Sequence, residues 1–155
     1  LVMAEPKVRS QLALCLRQIA FVDYPQKWPT LLTTIAAKLR SPEQQQLHGG
    51  LLALRVIAKI HEYRRDREPV HQIVVESFPV ILPLLRNSLA APPAVSSSEL
   101  SLLATKIIWS CTQFQLPPML LNEQSLDHLF ETLLALLKQA LPAEGQPTDL
   151  DDCSN

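Results

Sequence analysis

Prolines divide this chain into apolar segments with helical spacing, and that division limits the fold more than any other feature. Thirteen prolines stand against three glycines in 155 residues. A proline removes a backbone donor and fixes its own φ, so it suits helix starts, turns and breaks and is excluded from central strands. Between the prolines leucine dominates, and aromatic residues make up only 5% of the chain. That composition favours helix over strand. The chain reads as all-α.

Six helical segments follow. The first spans about Glu5 to Val22, with an apolar stripe of Val8, Leu12, Cys15 and Ile19. Asp23-Tyr24-Pro25-Gln26-Lys27-Trp28-Pro29 then reads as a tight elbow between antiparallel helices. Tyr24 precedes a proline and is pushed out of the α region. Asp23 can accept bonds from the free N–H groups of the next helix, and Pro25 suits that helix's start. The second helix is expected from about Pro25 to Arg40, with Trp28 largely buried in its first turn beside Leu31, Leu32, Ile35 and Leu39.

Ser41-Pro42-Glu43-Gln44 predicts a capping box for a third helix that ends near Tyr63. Its Gly49-Gly50 pair costs about 1 kcal/mol per glycine relative to alanine, which a close approach to a neighbouring helix would justify. A charged loop, Arg64 to Pro69, leads to a fourth helix over about Val70 to Leu89, where Pro79 and Pro83 predict a kink or short break. Ala90 to Ser98 reads as a loop, and Ser96 with Glu99 offers a second capping box for a fifth helix reaching Phe114. Leu116-Pro117-Pro118 closes it. The sixth helix, about Glu123 to Leu141, carries Leu126, Leu129, Leu133, Leu136 and Ala140 on one stripe. Residues 142–155 are rich in Pro, Gly and Asp and read as an acidic disordered tail or linker.

Residues 1–141 therefore form one segment of three antiparallel pairs, about 5–40, 43–89 and 99–141. The second members start near residues 25, 70 and 124, a spacing of about 45 and then about 54. The first value falls within the roughly 40–47-residue period of HEAT-type helical repeats, and the second fits with an insertion at 90–98. A compact six-helix bundle would show the same periodicity.

Catalytic chemistry is hard to find. His48, His61, His71 and His128 lack metal-ligand spacing, and His61-Glu62 lacks the second histidine of a zinc-protease helix. No CxxC and no glycine-rich phosphate loop occur. Cys15 and Cys111 lie in leucine-rich helices and read as buried, inert thiols. With Cys153 they make an odd, widely spaced set, which argues against a disulfide framework and for a reducing cytosolic or nuclear compartment. Glu43, Glu62, Glu76 and Glu131 read as solvated carboxylates, and Trp109 as core. No enzyme, cofactor or metal site is expected. Leu1-Val2-Met3-Ala4-Glu5 shows no signal-peptide pattern, and no apolar run is expected to be long enough to span a bilayer. The net charge of −1 conceals +5 over residues 1–75 and −6 over residues 76–155. Neither half is a nucleic-acid polycation; the asymmetry points to oriented protein partners or to ordinary surface variation.

The elbow, continued as Asp23-Tyr24-Pro25-x-x-Trp28-Pro29-x-Leu31-Leu32, resembles the importin-β superfamily of nuclear transport receptors, the karyopherins. The likeness continues through Gly50-Leu51-Leu52-x-Leu54, His61-Glu62-Tyr63-Arg64-Arg65 and Phe78-Pro79-Val80-Ile81-Leu82. Leu116-Pro117-Pro118 with Leu121-Asn122-Glu123-Gln124-Ser125-Leu126 is similar to the branch containing importins seven and eight. The resemblance covers about residues 5–141. It implies a HEAT-repeat α-solenoid, an internal piece of a longer receptor that shuttles between cytoplasm and nucleus. Such receptors bind Ran GTPase and protein cargo on the concave side, with nucleoporins as further partners. Neither direct nucleic-acid binding nor membrane insertion is implied. The matched residues, including the elbow set Asp23, Tyr24, Pro25, Trp28 and Pro29, are structural positions and carry no cargo specificity. The alternative is a HEAT-repeat scaffold for a non-transport complex.

On the second helix the apolar set faces its own repeat, so Lys27, Thr30, Thr34 and Lys38 point the other way. These four, with Glu76 and the loop residues Arg64, Arg65 and Arg67, are the expected protein-binding positions.

Overall fold

The computed structural model describes residues 6–90 and 95–138. The elements are α1 (Pro6–Asp23), α2 (Leu31–Leu39), α3 (Gln44–His61), α4 (Glu68–Ala90), α5 (Val95–Thr112), a 3-10 turn (Pro118–Leu120) and α6 (Glu123–Leu137). No strand occurs among the described residues.

The helices form two layers. In one, α3 lies between α1 and α5; in the other, α4 lies between α2 and α6. The layers are joined chiefly where α2 packs on α3 and α4 packs on α5. No Cα of α1 approaches one of α6 within 8 Å. Among the described residues this is an open two-layer stack of six helices, as expected of a repeat protein, and the closed bundle is excluded. No Cα of α1 comes within 8 Å of one of α2, nor any of α5 of one of α6, so the main close contacts between layers are those of α2 with α3 and of α4 with α5. A continuous core runs through it, with Leu51, Leu54, Ile57, Ile73, Phe78, Leu85 and Ile107 fully buried.

The elbow differs from its sequence reading in three respects. The second helix begins at Leu31, because residues 24–30 form a turn. Asp23 gathers N–H groups through its backbone carbonyl, which accepts from Lys27 at 2.7 Å and from Trp28 at 2.9 Å. Its carboxylate pairs instead with Lys27 Nζ at 3.5 Å. Pro25 and Trp28 therefore lie outside the helix, and Trp28 is only half-buried against the core. The residue driven fully inside is Tyr24, 2% exposed. The apolar face of α2 is as expected, with Leu31, Leu32, Ile35 and Leu39 buried.

α1 turns a different face inward from the one its apolar stripe suggested. Val8, Leu12 and Ile19 are 43–50% exposed, and Cys15 is exposed. Ala13, Leu16 and Ala20 face α3, with Ala20 completely buried. Both stripes have helical spacing, and the small side chains of Ala13 and Ala20 suit close helix contact.

Helix starts also shift. Ser41 Oγ accepts the N–H of Glu43 at 3.2 Å, and Glu43 occupies the N-cap of α3 with its carboxylate on the Gln46 side-chain amide and not on a backbone N–H, so the expected capping box does not form. α5 starts at Val95, which places Ser96 inside the helix instead of at its cap. α6 is capped by Asn122, whose side chain accepts the Ser125 N–H at 2.9 Å. The close approach expected at the paired glycines is present at Gly50: an added Cβ would lie 3.1 Å from Leu39 Cδ2 and 3.2 Å from Lys38 Cβ.

α4 remains one helix through Pro79 and Pro83. Both prolines are exposed, so the withheld donors fall on the solvent side. At 23 residues α4 is long and apolar enough to cross a membrane, contrary to the expectation that no run would be. Here it packs against α2, α3, α5 and α6, as the core helix of the stack. The tail at 142–155 and Ala140 lie outside the described residues.

Candidate partner-binding surface

Of the four positions expected on the second helix, Thr34 and Lys38 lie on α2, whereas Lys27 and Thr30 lie in the turn that precedes it. Lys27, Thr30, Thr34 and Lys38 are all exposed. Thr34 Oγ1 donates to the Thr30 carbonyl at 2.8 Å, and Lys38 Nζ donates to Gln46 Oε1 at 2.9 Å. Glu76 is half-buried on α4, and its carbonyl accepts from Arg40 at 3.4 Å.

Parallel packing of α2 and α4 leaves a cleft of about 220 Å³ between Pro29, Leu32 and Thr33 on one wall and His71, Gln72 and Glu76 on the other. A wider cleft of about 540 Å³ continues past Arg40 towards Pro79, Pro83 and Asn87. The surface mixes an apolar floor with hydroxyls, amides, a carboxylate and cations at its rim. Such a mixture suits a protein partner.

The charged loop divides into two roles. Arg67 donates to the carbonyls of Glu62 at 3.0 Å, His61 at 3.4 Å and Cys111 at 3.5 Å. It therefore closes the C-terminal ends of α3 and α5 together, where free carbonyls and the helix dipole favour a cation. Arg64 does the same for α1: it donates to the Phe21 carbonyl at 3.5 Å, with its guanidinium 4.4 Å from the Phe21 ring centroid. Arg64 and Arg67 are thus half-buried and held by internal contacts, and Arg65 alone of the three is fully on the surface. Asp66 Oδ1 accepts the Glu68 N–H at 3.1 Å at the start of α4.

Glu62 was expected to be solvated and is 2% exposed. It accepts from Ser110 Oγ at 3.0 Å and from the Gln113 amide, and pairs with Lys59 Nζ at 3.2 Å. Burial pushes its carboxyl up, but hydrogen bonds from Gln113, Lys59, Ser110 and Tyr63 together outweigh that and hold it below the usual value. This network stitches α3 to α5. Next to it, His61 is 1% exposed and neither ring nitrogen has a partner among the described residues. Burial, reinforced by Arg64, lowers its pKa from 6.5 to about 4.

Two further expectations are corrected. Trp109 is 61% exposed and is not part of the core. Of the cysteines, Cys111 is buried, and burial pushes its thiol up to about 12, whereas Cys15 is exposed. No group of three His, Cys, Asp or Glu residues among those described could hold a metal ion.

An all-α, two-layer open stack of helices defines a HEAT-like solenoid segment. The chain belongs to the exportin 1-like protein family, whose model matches residues 5–141. It is 33% identical over 147 residues to an importin beta-like SAD2 homolog of Arabidopsis thaliana, covering 93% of this chain and 14% of that protein. Importin-8 of Homo sapiens is 30% identical over 150 residues, with 94% and 14% covered. A probable importin-7 homolog of Dictyostelium discoideum is 22% identical over 157 residues, with 99% and 15% covered. The chain thus spans about one seventh of these relatives. No solved structure gives a significant match.

Proposed function

We propose that this chain is an internal HEAT-repeat segment of an importin-type nuclear transport receptor and acts by protein binding. The observation that carries the reading is the family match across residues 5–141 on an open helical stack. The exposed apolar faces at both ends support it. Val8, Leu12, Ile19 and Val22 on α1, and Phe130, Leu134 and Leu137 on α6, are the faces that flanking repeats would cover. On this reading residues 1–141 are one structural unit and residues 142–155 a linker.

The receptor would bind Ran GTPase and protein cargo and interact with nucleoporins while shuttling between cytoplasm and nucleus. It would need no cofactor, bind no nucleic acid directly and catalyse no reaction. The second-layer face, with Lys27, Thr30, Thr34, Lys38 and Glu76, would supply contacts from this segment. Arg65 would add a rim charge; Arg64 and Arg67 would hold the loop in place. The test is a pull-down with the whole receptor. Selective retention of GTP-loaded over GDP-loaded Ran supports transport; equal or absent retention favours the alternative, a scaffold for another complex.

A further inference from the structure

The chain has few aromatic residues, two Trp, two Tyr and four Phe, yet three of them are exposed at one edge. Phe21 lies in the last turn of α1, Tyr63 just beyond α3 and Phe114 just beyond α5; they are 56%, 69% and 61% exposed. Two side-chain contacts, brought together by the adjacency of Tyr63 and Arg64 in the chain, place them in a row. The Arg64 guanidinium covers the Phe21 ring at 4.4 Å, and the Tyr63 and Phe114 rings meet edge to face at 5.3 Å and 65°. Lys59 Nζ stands 5.8 Å from the Tyr63 ring centroid. The centre of the row, Tyr63 with Arg64, lies just beyond α3, which has α1 and α5 packed on its two sides. Flanking repeats therefore do not account for its exposure.

The charge of this edge is positive. Three cations, Lys59, Arg64 and Arg65, stand along it against two carboxylates, the buried Glu62 paired with Lys59 at 3.2 Å and Asp66, which accepts the Glu68 N–H. Exposed rings are costly in water, and rings with arginine are the side chains on which binding energy concentrates. Cations over ring faces attract anions without needing to leave the rings.

We infer that the Phe21–Arg64–Tyr63–Phe114 row is a docking edge for an acidic protein segment bearing apolar side chains. Carboxylates meet the exposed Arg65, with Arg64 and Lys59 adding positive field from their places over Phe21 and beside Tyr63, while the apolar side chains cover Tyr63 and Phe114. Single-stranded nucleic acid fits less well. Arg64 already occupies one ring face, and the edge-to-face Tyr63–Phe114 pair offers no parallel platform for stacked bases. This edge lies beside the helix ends and is separate from the α2–α4 cleft.

Fluorescence anisotropy at low salt tests the inference on the 155-residue chain, with a labelled 15-residue peptide of alternating Glu and Leu. The comparisons are the same peptide with Gln for Glu, and a 15-mer oligothymidine. The expected result is binding of the Glu peptide, at least tenfold weaker for the Gln peptide. Arg65→Glu and, separately, Phe114→Ser should each weaken it at least fivefold, with unchanged helical circular dichroism. Absence of binding, equal binding of the Gln peptide, indifference to both substitutions, or preference for oligothymidine would each overturn it.

Discussion

The ring of Tyr24 meets the ring of His61 edge to face, with centroids 5.6 Å apart at 76°. Through this contact the elbow between α1 and α2 is anchored to the end of α3, and the Tyr24 hydroxyl reaches Gln72 Oε1 on α4 at 3.4 Å. Burial, with Glu68 nearby, raises the Tyr24 pKa above 10.0, so the hydroxyl stays protonated at neutral pH. Tyr24, not the tryptophan four residues later, links the elbow to the rest of the stack.

Substitution should rank the two residues accordingly. Tyr24→Ala is expected to cost about 3–5 kcal/mol, the range for emptying a core aromatic site. Trp28→Ala, at a half-buried position, should cost about 1–2 kcal/mol. Urea melts of both variants check the order; a larger loss for Trp28→Ala would return the anchor to the tryptophan.

Acid should weaken the stack through His61 and Glu62 together. The folded pKa of His61, about 4, lies below its ordinary 6.5, so the folded state disfavours the proton. Its contribution is fully present above pH 6.5 and is lost as pH falls towards 4. Glu62 is also depressed, and its contribution is lost as pH falls through its lowered folded value. Urea midpoints measured between pH 7 and pH 4 should decline, and His61→Leu should flatten the upper part of that decline. An unchanged slope in the variant would contradict the assignment to His61.

Gly50→Ala tests the contact between α2 and α3. Alanine gains about 1 kcal/mol of helix propensity. Its Cβ would meet Leu39 Cδ2 at 3.1 Å, Lys38 Cβ at 3.2 Å and the Leu39 backbone N at 3.3 Å. The forced separation should outweigh the gain, leaving a net loss of about 1 kcal/mol. A thermal melt showing stabilisation would mean the helices part without cost.

Arg67 and Arg65 should behave as opposites. Arg67→Ala leaves the carbonyls of His61, Glu62 and Cys111 without this donor, and should cost about 1–3 kcal/mol. Arg65→Ala, at an exposed site, should change stability by less than about 0.5 kcal/mol. Equal losses in chemical melts would contradict the division of the loop into structural and free cations.

How far the sequence could lead depends on the kind of information each residue carries. Helical spacing located all six helices, and the α2 set Leu31, Leu32, Ile35 and Leu39 is buried as its period implies. On α1 two stripes compete, and the more apolar one, Val8–Leu12–Ile19, proved to face away from α3. Hydrophobicity marks what can be buried, whereas the small size of Ala13 and Ala20 decided which side α3 could approach. Glu62 was hidden for a different reason. Its partners Ser110 and Gln113 lie 48 and 51 residues away, and no local pattern predicts a buried carboxylate satisfied at that distance. Arg64, Arg65 and Arg67 look alike in sequence; only the positions of nearby helix ends separate them.

The most direct test of the account is the affinity of the whole receptor carrying Lys27→Glu and Lys38→Glu for GTP-loaded Ran and for cargo. Both lysines are exposed, with side chains that meet Asp23 and Gln46 among the described residues, so folding should be nearly unaffected. The expected result is weaker binding of Ran or cargo at low salt, where charge complementarity is least screened, with an almost unchanged melting temperature. Unaltered affinity for both ligands at low salt would contradict the claim that this face meets the receptor's partners.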